Sequence, residues 1–555
     1  MAPLPNPVIL YHPDGYQTAR ADLKGRHSAG ASFLSAFLGH VEGPDVFGLL
    51  LNAQGAEDFR ATVQASERPL SPRVITRADI ATIRTQGLLY VPDPTLAAEA
   101  RVRSFLGEKS YAISGITHTI SSRETVDQIA SIVIEPAAPW DALICTSKAV
   151  HTAISTILTL GEEDMRARLG ATRFDRPLMP IIPLGVHAER FARNDDDRTG
   201  WRDELGISGN TVAILFFGRL SVHAKASPFQ LAQAAEKAAH RLRRPVTIIW
   251  CGWFNDAHQH RAFMQTAKAM APSVSFHHVD GRDERARYTI WSAADIFCSL
   301  SDNIQESFGL TVIEAMAAGL PVVASNWNGY RTAIEHGVNG VLVDSLMPQL
   351  TLADAAYRYV TGLDSYDSYI GGVSQFCFVN IEQTADWIVR LSENEELGRS
   401  MGRAAQRTIA ASFDWKVVIG QYFELWQHQS ELLDVARKDE RPVHSSTWRR
   451  HDPALTFAGY ASHHLTGETR LAKGAGFTTW NDLLTEPGIV LNAHVLVRKG
   501  TLDKLHDAFE EAGEAGVAIA DLLTRFSGNE HAALVRSLHW LIKIGLLALR
   551  SLPQT

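Results

Sequence analysis

The sequence predicts an α/β protein with two doubly wound, Rossmann-like halves and an appended, mainly helical region. Three observations carry that expectation. Short apolar, β-like runs alternate with helical stretches from the start to about residue 200. A second alternating set begins near residue 211, after a polar stretch. A charged, proline-containing boundary, KDERPVHSSTWRRHDP, then precedes a last region with a different pattern. At 555 residues the chain is also too long for one ordinary core.

In the first half the strand-like runs are NPVILYH, DVFGLLL, GLLYVPD, SYAISGITH, DALICTS and MPIIPLG. Strands alternating with helices imply a parallel sheet covered by helices. The polar stretch ERFARNDDDRTGWRDELGIS carries no strand and reads as a linker. Its Asp195 and Asp197 form a D-x-D pattern, but with no other ligand nearby a solvated loop is the simpler reading than a metal site. The second half runs through TVAILFFGRL, PVTIIWCGW, VSFHHVD, DIFCSLS, LPVVASN and NGVLVD. Between about 345 and 385 the alternation weakens, as a helical insertion would make it. Apolar residues at three- and four-residue spacing then predict helices up to FELW. The expected divisions are 1–200, 201–415, a closing helix and linker over 416–440, and 441–555.

The last region ends with GVAIADLLTRF, HAALVRSLHWLIKIG and LLALR, read as two amphipathic helices and a short strand resembling a winged helix. Leu522, Leu523, Phe526, Leu534, Leu538 and Leu541 form its core-like stripe. Its acids and bases nearly balance, so a protein-interaction, acceptor-positioning or dimerisation role is expected ahead of nucleic-acid binding.

Composition is that of a soluble globular protein: 45% apolar, 21% charged, net charge −8. That charge argues against a general nucleic-acid binder. The start, MAPLPNPVILYHPDG, lacks the basic segment and long apolar run of a secretion signal, and no apolar stretch approaches the ~18 residues of a membrane span. Cys145, Cys251, Cys298 and Cys377 are far apart with no C-x-x-C spacing, which suits buried free thiols in a reducing cytoplasm.

The chemistry concentrates in QESFGLTVIEAMAAGLPVVAS, residues 305–325. In a doubly wound sheet, ligands sit beyond the carboxyl ends of strands, facing helix N-termini. DIFCSLS is such a strand and NIQESFG the loop leaving it. A helix is expected from a Ser307 N-cap to Gly319, with Pro321 just beyond. Free N–H groups near Phe308, Gly309 and Leu310 would bind phosphate oxygens. Helical side chains lean toward the N-terminus, so Glu314 still points to the ligand end. Carboxylates there repel phosphate but accept hydroxyl hydrogen bonds well, which suits a sugar nucleotide. Taken alone, Glu306 could equally cap the helix and Glu314 lie on the surface.

This stretch resembles the retaining glycosyltransferases of family 4, whose hallmark is E-x-F-G-L-x-x-x-E-A-M-A-x-G-x-P-V-V-A. Glu306, Phe308, Gly309, Leu310, Glu314, Ala315, Met316, Gly319 and Pro321 all match. The resemblance extends over roughly residues 1–435 and implies the GT-B fold, two Rossmann-like domains facing across a cleft. It also implies that Glu306 contacts the transferred sugar and Glu314 the ribose. Arg219 ends FFGRL and Lys225 follows six residues later, two cations that suit a leaving diphosphate and that hold it in the family. Ala226 stands where glycine is usual.

MPIIPLGVHAERF resembles the family's inter-domain segment, with His187 in place of the usual Asp. His118, just after a strand end, matches the family's histidine near the transferred sugar. LKGRHSAGASFL offers Gly25 and Gly30 where the family's first loop approaches diphosphate and acceptor. The Val279 to Gly281 end of VDGRDERARYTIWSAADIF borders the nucleobase by the same resemblance, and Trp327-Asn328-Gly329 replaces a plainer glycine pair. ASFDWKVVIGQYFELW resembles the helix that crosses back to the first domain.

The activity so implied moves a sugar from a UDP- or GDP-sugar to an acceptor hydroxyl with retention of configuration. No metal and no cofactor beyond the donor are expected. A non-catalytic sugar-nucleotide sensor or scaffold and a GT-B phosphorylase are the alternatives. The acceptor is open: a glycan, a lipid-linked group, a protein or a small molecule.

Overall fold

The structure is a computed structural model that describes residues 6–17, 25–51, 55–225, 227–439, 452–486, 488–489 and 492–550. The chain forms two compact units, Met1–Thr447 and Trp448–Thr555.

The first unit contains two six-stranded sheets. The first comprises β1 (Val8–Tyr11), β2 (Asp45–Leu50), β3 (Ser71–Ile75), β4 (Leu88–Val91), β5 (Ala112–Ile116) and β6 (Ala142–Ile144), ordered β3-β2-β1-β4-β5-β6. The second comprises β7 (Val212–Phe217), β8 (Val246–Gly252), β9 (Ser275–Asp280), β10 (Ile296–Ser299), β11 (Val322–Ser325) and β12 (Val341–Val343), ordered β12-β11-β10-β7-β8-β9. Every pairing in both sheets is parallel. Buried parallel strands read as continuous apolar runs, and all seven residues of β8, VTIIWCG, are buried.

The chain order doubles back between β1 and β4 in the first sheet and between β7 and β10 in the second. In open parallel sheets, ligands bind outside the strands' carboxyl ends at such switch points.

The expected helix back to the first sheet is Trp415–Lys438. Its Tyr422 and Trp426 pack their rings on Phe33, Phe37 and Tyr90 of the first half. Its one deeply buried polar residue, Gln429, is satisfied: Nε2 donates to the carbonyls of Ile113 and Trp140, and Oε1 accepts from Ser114 Oγ. The segment ahead of this helix is tied to the inter-domain stretch, where Val186 N–H donates to Phe413 O at 2.8 Å and Trp415 N–H to Val186 O at 3.1 Å.

Several expectations change. MPIIPLG is no strand of the sheet; it runs beside β6 through isolated bridges at Leu178 and Ile181, because Pro177, Pro180 and Pro183 remove the donors a ladder needs. The strand β3 was not foreseen, since SPRVI is short, half polar and lies at the sheet edge. The supposed linker folds as the helix Asp195–Glu204, and Asp195 and Asp197 lie in its first turn rather than in a loop. Asn194 caps it by accepting from Asp197 N–H, and acids favour the positive end of a helix. The insertion is helical as expected, with Ala353–Val360 and Tyr366–Ser374 closed by the antiparallel pair Ser345–Leu346 and Phe378–Val379. All four cysteines are buried and free.

In the second unit, strands Arg470–Lys473, Val517–Ala518 and Leu547–Leu549 form an antiparallel sheet with Arg470–Lys473 in the centre. Helices Lys499–Ala512, Ile519–Leu523 and His531–Lys543 pack on it. Leu522, Leu534, Leu538 and Leu541 are fully buried, and Leu523 and Phe526 lie at the core's edge. GVAIADLL opens as a strand, not a helix: β-branched Val517 pairs with Leu471 before the chain turns helical. The strand and helix contributed by 470–473 and 499–512 were not foreseen.

Among the described residues, no helix is long and apolar enough to cross a membrane.

Candidate active site

Two loops leave the switch point of the second sheet side by side. The loop after β7 carries Arg219 and Lys225, and the loop after β10 carries Asp302 to Phe308. They meet at two contacts. Lys225 Nζ lies 2.9 Å from Glu306 Oε2, and Arg219 Nη2 donates to Gln305 Oε1 at 3.0 Å. Burial lowers the Arg219 pKa, with nearby Asp367 acting against that shift. A half-desolvated guanidinium held by a neutral amide keeps its charge for another partner. Ala226, beside Lys225, lies outside the described residues.

The helix that follows is Leu310–Ala317, two residues later than a Ser307 cap would start it. Gly309 is the N-cap, at φ 94 and ψ 65, a conformation only glycine adopts readily. A Cβ there would also sit 2.1 Å from the Tyr330 ring. Ser307 lies in the loop, and its carbonyl accepts from Ser147 Oγ at 2.8 Å. Among the described residues, the N–H groups of Phe308, Gly309 and Leu310 donate to no acceptor at the helix end.

Glu314 lies one turn into that helix and is half-buried. Burial raises its pKa to about 7, against the opposing charge of Arg287. Arg287 in turn reaches across to the first half and donates to Ser28 Oγ at 3.2 Å.

The Trp327-Asn328-Gly329 departure has a structural reason. Trp327 Nε1 donates to Asn303 O at 3.0 Å and Asn328 Nδ2 to Glu306 O at 2.8 Å, while Gly329 packs on the backbone of Ser307 and Phe308. The three brace the Glu306 loop from behind.

From the first sheet, His118 leaves β5 beside that sheet's switch point. Its Nε2 lies 3.1 Å from Pro92 O, and burial lowers its pKa to about 4. The ring is therefore neutral at pH 7, with Nε2–H donated to the carbonyl and Nδ1 left as an acceptor. The next residues touch the second half: Thr119 Oγ1 reaches Gln305 O at 3.5 Å, and Ser121 Oγ meets Tyr366 OH at 2.8 Å. The loop that follows β5 thus meets the two loops of the second sheet at Gln305, the residue that also receives Arg219.

Two expected glycines are helical. Gly25 opens and Gly30 lies within the helix Gly25–His40, not in a loop. Gly30 is a packing residue: a Cβ would fall 1.9 Å from Gly15 O, so the helix could not approach that turn with any side chain. Val279 is half-buried on the edge strand β9, paired with Cys251, and Gly281 N–H closes the strand end on Gly252 O at 3.3 Å. His187 is held near Glu189, 3.8 Å away, at the boundary between halves.

Sequence reasoning missed Gln305, Asn303 and Tyr366. Asn303 Nδ2 donates to His223 O at 2.5 Å and its Oδ1 accepts from Gln305 N–H at 2.8 Å, which welds the two loops together. The run of amides in NIQE, at a strand exit, was the available signal. Nothing local marks Tyr366, which arrives from the insertion.

Residues 197–356 match the family model described as Glycosyl transferases group 1. The chain is similar to D-inositol 3-phosphate glycosyltransferase of Geodermatophilus obscurus, 35% identical over 180 residues, covering 30% of this chain and 37% of the relative. A relative of the same description from Corynebacterium jeikeium is 30% identical over 227 residues, 40% of this chain and 52% of its own. The match thus spans from over a third to about half of these relatives' length. Among solved structures, Anabaena HepE in complex with UDP is 17% identical, covering 75% of this chain and 97% of that one, with a TM-score of 0.49.

Proposed function

We propose that this protein is a glycosyltransferase that moves a sugar from a UDP- or GDP-sugar to an acceptor hydroxyl, with retention of configuration and without a metal. The observation that carries the reading is the meeting of Lys225 and Glu306 at 2.9 Å, beside Arg219 and the N–H groups of Phe308 to Leu310. The match of residues 197–356 to group 1 glycosyltransferases supports it.

In this reading the donor diphosphate lies over Arg219, Lys225 and the helix end, which neutralise charge that grows as the glycosidic bond breaks. These groups take the place a divalent cation holds elsewhere. Glu306 accepts hydroxyl hydrogen bonds from the transferred sugar and Glu314 from the ribose. His118, neutral, offers Nδ1 to a sugar hydroxyl from the opposite wall. The acceptor oxygen attacks from the leaving-group face, and a donor phosphate oxygen takes its proton. The acceptor enters from the first-half side, where loops vary most.

The test is formation of free diphosphate nucleotide from a panel of UDP- and GDP-sugars with and without EDTA, with the anomeric configuration of any product read by proton coupling. Turnover that survives EDTA and yields the donor's configuration is expected. Inverted product or loss of activity with EDTA would remove the corresponding part of the proposal, and phosphate-dependent activity without nucleotide would favour a phosphorylase.

A further inference from the structure

The insertion over Ala353–Ser374 does more than decorate the surface, because its second helix, Tyr366–Ser374, is seated on both loops of the cleft. Asp367 Oδ2 lies 3.2 Å from His223 Nε2, on the loop that carries Lys225. A Cβ on Gly371 would fall 2.9 Å from the Cβ of His223, so the helix packs on that loop at a distance only glycine permits. On the other loop, Ile370 O accepts from Asn303 Nδ2 at 3.3 Å.

At the start of this helix, Tyr366 OH accepts from Gln305 Nε2 at 3.2 Å and shares a 2.8 Å hydrogen bond with Ser121 Oγ from the first half. An amide has one donating and one accepting end. With Nε2 bound to the tyrosine, Gln305 must present Oε1 on its other side, where it receives Arg219 Nη2 at 3.0 Å. Turning the amide over would set its NH2 against the guanidinium, donor to donor.

We propose that Tyr366 is a positioning residue for the donor diphosphate: its hydroxyl fixes the Gln305 amide, and the amide aims Arg219 into the cleft. The inference rests on the glycosyltransferase reading and adds a part to it supplied by the insertion. The same hydroxyl also bonds Ser121, so the loop bearing His118 shares in holding the Gln305 amide.

The experiment is calorimetric binding of UDP, GDP, UMP and GMP to the full chain as wild type, Tyr366→Phe, Gln305→Leu and the double variant. Phenylalanine keeps the ring packing and removes only the hydroxyl. The expected result is a roughly tenfold loss of affinity for the preferred diphosphate in Tyr366→Phe, as for a lost hydrogen bond to a charged group's partner, with the monophosphate unchanged. Gln305→Leu should match it, and the double variant should lose no more than either single one. Equal weakening of mono- and diphosphate would show a merely structural role and overturn the proposal, as would wild-type diphosphate binding in Tyr366→Phe or additive losses in the double variant. Wild-type protein that binds no diphosphate overturns the glycosyltransferase reading and this inference together, which separates that failure from the others.

Discussion

The ammonium of Lys225 and the carboxylate of Glu306 meet at 2.9 Å although 81 residues separate them, and each sits at the tip of a different loop from the same switch point. Lys225 is 32% exposed and Glu306 11%, so the pair faces the cleft rather than the core. Such a pair holds each charge in place until a ligand divides them.

Replacing either partner should therefore cut turnover by more than ~100-fold, the scale of a lost transition-state contact. Binding should separate the two. Lys225→Ala should weaken the bare nucleoside diphosphate, whereas Glu306→Ala, which removes a nearby negative charge, should bind it as tightly as wild type or more so. Equal losses of diphosphate affinity would show that Glu306 does not act on the sugar.

Glu314 titrates at about 7 because burial disfavours its charge. Ionised, it is the stronger acceptor for ribose hydroxyls, so affinity for the nucleotide should rise as pH is raised through 7. Glu314→Gln should be weaker at pH 8 and should lack that rise, once the ligand's own phosphate titration, common to both proteins, is subtracted. Parallel pH profiles would contradict the role.

Asp302 offers a stability prediction. It is almost fully buried, and burial lifts its pKa to about 7 while Gln230 Nε2, donating to Oδ2 at 2.9 Å, acts against the shift. Its Oδ1 and the Gln230 Oε1 are both buried without a hydrogen-bond partner among the described residues. A proton on Oδ1 would supply a donor where two acceptors now lack one. The folded state then binds a proton that the unfolded chain releases near 3.8, so stability falls as pH rises from about 3.8 to about 7 and is level above. Asp302→Asn mimics the protonated acid. It should raise the melting temperature at pH 8 by an amount worth up to a few kcal/mol, and hardly at all at pH 4. An asparagine variant less stable than wild type at pH 8 would mean that the charge itself is wanted there.

Gly309→Ala should destabilise the chain by more than about 2 kcal/mol in urea unfolding, since φ 94 is strained for alanine and its Cβ would enter the Tyr330 ring. A neutral effect would mean that the loop and ring rearrange freely, and the N–H groups at the helix end would lose their fixed aim.

Much of this was legible in the order of residues. Apolar runs such as TIIWCG locate buried parallel strands because both faces are covered, and the E-x-F-G-L-x-x-x-E stretch locates the cleft because a strand exit, a helix start and two acids fall together. What escaped was set by tertiary contact. The helix Asp195–Glu204 is almost wholly polar, and only Trp201 and Arg202 turn inward, so its periodicity was hidden. Gly30 looked like a loop glycine, yet the turn at Gly15 makes it a helix-packing one. Ser307 has the chemistry of an N-cap, but Tyr330 and Gly329 pin the chain so that Gly309 takes the cap. Tyr366 lies 61 residues from Gln305, and no local pattern announces a hydroxyl that acts at that range.

The central claim, a nucleoside-diphosphate site spanning Arg219, Lys225, Glu306 and Glu314, is tested most directly by calorimetric titration of UDP, GDP and ADP into wild type and Glu314→Ala. One diphosphate should bind with micromolar affinity to wild type and distinctly more weakly to the variant. No binding by any of the three, or equal affinity in both proteins, would contradict it.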